Sequence, residues 1–131
     1  MESRDRWARA VRRLLGGLAG ALWIFVALTH GVAFVSGGSM EPVLHAGDIV
    51  IYRLGARGVM VGDLVVFAHP EWSGGVVHRV TSIDSDGSLV TRGDANPTDD
   101  SDAVTRDRVR GVAVAVVPSG KVVALAAEAT R

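Results

Sequence analysis

Cysteine is absent from the 131 residues of the chain. Its absence excludes disulfide scaffolds, zinc–thiolate sites, iron–sulfur clusters and cysteine nucleophiles, so a metal site would have to rest on histidines and carboxylates. An excess of either charge is also lacking, since 14 basic side chains balance 14 acidic ones, which disfavours a protein that coats nucleic acid. Apolar residues make up 48% of the chain and glycines number 16, a composition that suits one small β domain with glycine turns.

The charges are distributed unevenly along the chain. Residues 1–13 hold five arginines and two acidic residues, residues 14–40 hold no charge, and residues 41–131 hold nine basic and twelve acidic residues. As a helix, residues 14–36 would cover roughly 33 Å, enough to cross a hydrocarbon core of about 30 Å. The positive-inside rule then predicts a cytoplasmic basic arm at 1–13 and an extracytoplasmic domain at 37–131. We therefore expect a single-pass protein of the cell membrane.

A cleavable signal peptide is the alternative interpretation of the N-terminal region, since small residues stand at positions 31 and 33. The uncharged run is much longer than the roughly 7–15 residues of a typical signal-peptide core, which favours retention as an anchor.

Beyond residue 40, short β-branched runs are broken by glycine, aspartate and proline, and no sustained helical period is present. This pattern predicts a mainly β domain with strands at 48–54, 63–69, 76–83, 88–92 and 109–117. The DSDG sequence at 84–87 predicts a hairpin turn between the third and fourth strands. The apolar stretch at 111–127 is interrupted at 118–121, which leaves pieces too short for a second membrane span and predicts one strand and a tail.

A candidate nucleophile follows the anchor, in the sequence SGGSMEP at 36–42. Glycines before Ser39 would let the backbone approach a substrate and bind an oxyanion, although such a segment is also typical of a flexible loop. A serine nucleophile needs a base, and the chain offers His30, His45, His69 and His78. His78 differs from the other three because strand alternation places it on one face with Val76 and Val80. It is either a core histidine or a base kept neutral by partial desolvation.

A carboxylate usually orients such a base, and the sequence GDANPTDDSD at 93–102 supplies four aspartates. The same segment is also typical of an acidic surface loop. Its spacing does not match a calcium-binding EF-hand loop.

These motifs occur in a recognisable order: S-M-x-P at 39–42 after one anchor, G-D at 47–48, G-D-L-V at 62–65, H-R-V at 78–80 and R-G-D-x-N at 92–96. The ordered set resembles the type I signal peptidase family over residues 14–118. One branch of that family uses a Ser–Lys dyad. The other, found in archaea, the endoplasmic reticulum and some bacteria, has histidine in place of the lysine. His78, with no lysine nearby, indicates the histidine branch.

The resemblance implies a role for each matching residue. Ser39 resembles the nucleophile, His78 the general base and Asp100 the acid that completes the triad. Asp94 resembles a carboxylate that braces the site, and the alternative acids are Asp99 and Asp102.

One position departs from the family pattern. Where the family commonly has a serine that donates to the oxyanion, two residues before the nucleophile, this chain has Gly37. Oxyanion binding would then rest on backbone N–H groups, those of Ser39 and Gly37.

The resemblance also implies a function, that of a membrane-anchored serine endopeptidase, signal peptidase I, which removes signal peptides from exported preproteins. Its expected partners are preprotein signal peptides, the lipid bilayer and the protein-translocation machinery, with no nucleic acid, metal or other cofactor. Self-cleaving repressor proteases share the fold and a Ser-Met motif, but they use lysine and carry a DNA-binding domain. The remaining alternative is a non-catalytic membrane-tethered β domain that binds partners in the cell envelope.

Overall fold

The computed structural model describes residues 2–119 and divides into two compact units, with the boundary between His30 and Gly31. The first unit is a single helix, α1, at Glu2–Thr29. Its segment Arg4–Thr29 is long and apolar enough to cross a membrane, and the large apolar side chains along it are exposed. An N-terminal helix that could span a membrane is therefore present, as predicted.

The prediction that residues 14–36 form a helix is wrong at the C-terminal end. The helix already begins at Glu2, so residues 2–13 of the basic arm belong to it, and it ends at Thr29. The next residues form a short strand, β1, at His30–Phe34. The uncharged sequence is compatible with a helix or a strand at these positions. The strand forms because Ala33 and Val35 contact a buried cluster of the second unit.

The second unit is one six-stranded sheet in the order β1-β2-β6-β3-β4-β5. The other strands are β2 at Ile49–Leu54, β3 at Leu64–His69, β4 at Trp72–Ile83, β5 at Leu89–Arg92 and β6 at Val109–Val117, and a short 3₁₀ helix occupies Arg106–Arg108. Each pairing within β2–β6, β6–β3, β3–β4 and β4–β5 is antiparallel. The mainly β class and the five predicted strands are confirmed, except that β4 begins at Trp72 rather than at 76.

The predicted hairpin turn at 84–87 is also confirmed. The Asp84 N–H donates to the Ser88 carbonyl oxygen at 2.9 Å, and the strands on either side pair antiparallel. Gly87 has φ +87°, a conformation that glycine adopts without steric cost.

Apolar side chains cover both faces of the sheet. Val65 and Phe67 of β3 belong to one buried cluster, while Val66 between them belongs to the other, as strand alternation requires. In β4 the inward residues are Val76, His78 and Val80, so the predicted orientation of His78 is confirmed. The predicted tail, with Lys121, lies outside the described residues, which end just beyond β6.

Candidate active site

Three polar side chains from separate parts of the second unit form a chain of hydrogen bonds. His78 Nε2 lies 3.1 Å from Ser39 Oγ, and His78 Nδ1 lies 2.6 Å from Asp100 Oδ2. Ser39 belongs to the loop after β1, His78 to the middle of β4, and Asp100 to the loop after β5. The His78 side chain is 9% exposed and that of Asp100 is 24% exposed, so the pair is largely shielded from water.

This arrangement defines the proton positions that a nucleophilic serine needs. An ionised aspartate only accepts hydrogen bonds, so the short contact places a proton on His78 Nδ1. In a neutral imidazole, Nε2 is then an acceptor that faces the hydroxyl of Ser39. The geometry can therefore pass a proton from Ser39 to His78 while Asp100 stabilises the positive charge that develops.

Ser39 is held in place by the loop that carries the aspartates. The Ala95 N–H donates to the Ser39 carbonyl oxygen at 2.9 Å. Gly93 lets the two loops approach, because a Cβ there would lie 2.5 Å from that oxygen and 3.0 Å from the Ser39 Cβ. On the other side, Met40 and Leu44 are buried in the core. The hydrogen bond from Ala95 and the burial of Met40 and Leu44 together fix the backbone of Ser39 opposite His78.

Asp94 forms an ion pair with Arg79, the residue that follows His78 on β4. Arg79 Nε and Nη2 donate to the two carboxylate oxygens of Asp94 at 2.8 and 2.6 Å, and Arg79 Nη1 donates to the Gly62 carbonyl oxygen at 2.8 Å. The hydrogen bonds from Arg79 lower the pKa of Asp94, and they raise the pKa of Arg79. This pair links β4 to the loop that positions Ser39.

We expect Asp94→Asn to lower the free energy of unfolding at pH 7 by about 1–2 kcal/mol, because a charge-assisted bidentate contact is lost at a site partly open to solvent. The lowered pKa of Asp94 means that its contribution is fully present above the unfolded pKa, about 3.9, and is lost as the pH falls through the folded value. The difference from wild type, measured by denaturant unfolding, should therefore narrow below about pH 4.

The control for this prediction is Asp102→Asn, because Asp102 is exposed. That substitution should change the unfolding free energy by less than about 0.5 kcal/mol. Equal unfolding free energies of Asp94→Asn and wild type at pH 7 would show that the Arg79–Asp94 ion pair does not stabilise the fold.

The other candidate acids and bases lie elsewhere. Asp99 accepts a hydrogen bond from Thr81 Oγ1 at 3.0 Å, and Asp102 is exposed. Of the histidines in the second unit, His45 lies beside Asp48, and His69 stacks on Trp72 with ring centroids 4.5 Å apart. Within residues 2–119, no group of three or more histidine or acidic side chains could hold a metal ion.

Thr91 is a residue of the site that the motifs did not reveal. Its hydroxyl donates to Asp100 Oδ2 at 2.7 Å, and its carbonyl oxygen accepts the Asp100 N–H at 2.8 Å. The available signal was alternation in β5, which buries Leu89 and Thr91 and so places one hydroxyl on the inner face.

A pocket of about 540 Å³ opens beside Ser39 and His78. Its walls come from the loop around Ser39 and from β4, and its lining is mostly apolar, with contributions from Phe34, Val35, Trp72, Val76 and Val77. Within the described part of the chain, the backbone N–H groups of Gly37 and Ser39 donate to no other residue. The pocket can therefore accept an extended apolar segment next to two available N–H donors.

Comparison with known proteins gives two kinds of match. The family model of signal peptidase, peptidase S26, matches residues 6–106. The signal peptidase complex catalytic subunits SEC11 of Eremothecium gossypii and of Debaryomyces hansenii are each 37% identical over 73 residues. Each alignment covers 53% of this chain and 44% of the relative, so the chain matches less than half the length of these curated proteins.

Proposed function

Because the chain belongs to the signal peptidase family, peptidase S26, we propose that it is a membrane-anchored serine endopeptidase that cleaves signal peptides from exported preproteins. The observation that carries this proposal is the continuous set of hydrogen bonds from Asp100 through His78 to Ser39 beside an open pocket. Ser39 is the nucleophile, His78 the general base and Asp100 the acid of the triad.

The reaction proceeds in two halves. His78 Nε2 takes the hydroxyl proton while Ser39 Oγ attacks the scissile carbonyl carbon, and the same proton then passes to the leaving amine as the C–N bond breaks. Water then enters, gives a proton to His78 Nε2 and attacks the ester carbonyl carbon. As the ester C–O bond breaks, His78 passes that proton to Ser39 Oγ, which releases the signal peptide and restores the Ser39 hydroxyl and the neutral imidazole. Asp100 keeps the imidazole in the required tautomer throughout.

The oxyanion is bound by the backbone N–H of Ser39 together with that of Gly37. Gly37 has no side chain to add a further donor, and the loss of one such donor costs about 10²–10³ in rate in other serine enzymes. Binding by backbone groups has one advantage, since a loop fixed by neighbouring contacts needs little reorganisation as charge develops.

The substrate lies extended in the pocket beside Ser39. Its mostly apolar lining suits uncharged side chains before the cut, and the family resemblance implies that these are small, often in the pattern Ala-x-Ala. Substrates of this kind are the signal peptides of preproteins that emerge from the translocation machinery.

We assign α1 as a single-pass anchor in the cell membrane. The five arginines in residues 1–13 support a cytoplasmic N-terminus, with the β unit on the other side of the membrane. Anchoring confines the enzyme and its membrane-bound substrate to one surface, which raises their effective concentration.

A peptide phosphonate ending in Ala-x-Ala tests the proposed nucleophile, because an activated serine oxygen displaces a leaving group from phosphorus and stays covalently bound. We expect one adduct per chain, located on Ser39 by mass spectrometry and reduced at least about tenfold in His78→Ala, where the hydroxyl has no base. The comparisons do not favour a non-catalytic partner-binding domain. Absence of an adduct in the folded protein would nevertheless support that alternative.

A further inference from the structure

Thr91 contacts the same carboxylate oxygen that faces His78. Its Oγ1 lies 2.7 Å from Asp100 Oδ2, and His78 Nδ1 lies 2.6 Å from that atom. Thr91 is fully buried, and its carbonyl oxygen accepts the Asp100 N–H at 2.8 Å. Thr91 therefore holds both the backbone and the side chain of Asp100.

The sheet register explains why Thr91 and His78 reach one carboxylate. Thr91 of β5 lies opposite Val80 of β4, and His78 is two residues before Val80, so the three residues share one face of the sheet. Asp100 itself belongs to no strand, and its side chain is 24% exposed. Without a second contact, its carboxylate could rotate toward water and away from His78.

We propose that Thr91 is a positioning residue that fixes the Asp100 carboxylate toward His78, an inference that rests on the proposed function of the triad. A buried hydroxyl needs a partner, and here its partner is the group whose orientation the reaction requires. Thr91 acts through Asp100 and does not touch the reacting atoms.

The first test compares Thr91→Val, which removes only the hydroxyl and keeps the β-branched shape, with Thr91→Ser, which keeps the hydroxyl. In the full chain acting on a preprotein, Thr91→Val should lower kcat about 10–100-fold with KM nearly unchanged, whereas Thr91→Ser should stay within about threefold of wild type. The acid limb of the rate profile should move to lower pH in Thr91→Val, because a less well supported imidazolium forms less readily.

Thr81→Val is the matched control. Thr81 lies on the neighbouring strand, and its hydroxyl donates to Asp99 at 3.0 Å, so the same chemical change is made beside the adjacent aspartate. We expect its kcat and rate profile to match wild type. Equal decreases in kcat in Thr81→Val and Thr91→Val would mean a general structural effect and would overturn the proposal. A decrease in kcat in Thr91→Val without a shift of the acid limb of the pH profile would overturn it as well.

A second measurement does not depend on turnover. The Nδ1 proton of His78 should give a low-field NMR resonance in the full chain, retained in Thr91→Ser and weakened or lost in both Thr91→Val and Asp100→Asn. An unchanged resonance in Thr91→Val overturns the positioning role. If wild type and the variants show these NMR results but wild type cleaves no preprotein, the proposed function fails while the positioning of Asp100 by Thr91 stands.

Discussion

Replacing Ser39 with alanine should abolish preprotein cleavage, lowering kcat by about 10⁴-fold or more. In the proposed mechanism Ser39 Oγ is the atom that forms the new bond, and without it neither His78 nor Asp100 has a nucleophile to activate. Residual cleavage above the uncatalysed rate would come only from substrate binding and the oxyanion donors. The measurement is the rate of preprotein processing by the purified full chain under single-turnover conditions.

The fold should survive this substitution. Among the residues that the structure describes, the Ser39 side chain makes one hydrogen bond, to His78, and the packing of the loop comes from its neighbours Met40 and Leu44. The melting temperature should therefore remain close to that of wild type. Ser85→Ala is a matched control, because Ser85 is exposed in the β4–β5 turn and should keep full activity. Full activity of the Ser39 variant would exclude Ser39 as the nucleophile.

Replacing His78 with alanine should reduce kcat by a similar factor, about 10⁴-fold or more, because the serine hydroxyl is hardly ionised without a base. His78 is buried and packs edge-on against Phe67 with ring centroids 6.2 Å apart, so alanine also leaves a small cavity. His78→Gln, which better preserves the side-chain volume, separates lost chemistry from lost packing and should be equally inactive. His45→Gln, at a histidine that lies beside Asp48, should remain active.

The same role for His78 predicts how wild-type activity depends on pH. An imidazolium cannot accept the proton of Ser39, so activity should fall as the pH is lowered and the ring becomes charged. A rate that does not fall on acidification would indicate another base.

The sheet could be predicted from sequence because its strands are short β-branched runs separated by turn residues. Two boundaries could not. β1 lies in an uncharged run whose sequence suits a helix as well as a strand. The strand is favoured by tertiary contacts: Ala33 and Val35 pack against a buried cluster, and Gly31 lies so close to the Tyr52 ring that any Cβ would overlap it. β4 begins at Trp72 because Trp72 pairs with His69 of β3. The strand therefore includes Gly74 and Gly75, although glycine has a low propensity for strands.

The candidate site was predictable to a similar extent. Alternation identified the inward position of His78, and that depends only on the local period of a strand. The choice among four aspartates could come only from the family resemblance, since it depends on how the loop after β5 folds back onto the sheet. Thr91 was missed because a hydroxyl on a strand has no distinctive sequence pattern, and its partner lies nine residues away.

The proposal that Ser39 cleaves signal peptides is tested most directly by preprotein processing with the purified full chain in lipid vesicles, followed by intact-mass measurement of the products. Wild type should cleave one peptide bond, directly after the signal peptide, and Ser39→Ala should cleave none. No cleavage by folded wild-type protein, or equal cleavage by both proteins, would contradict it.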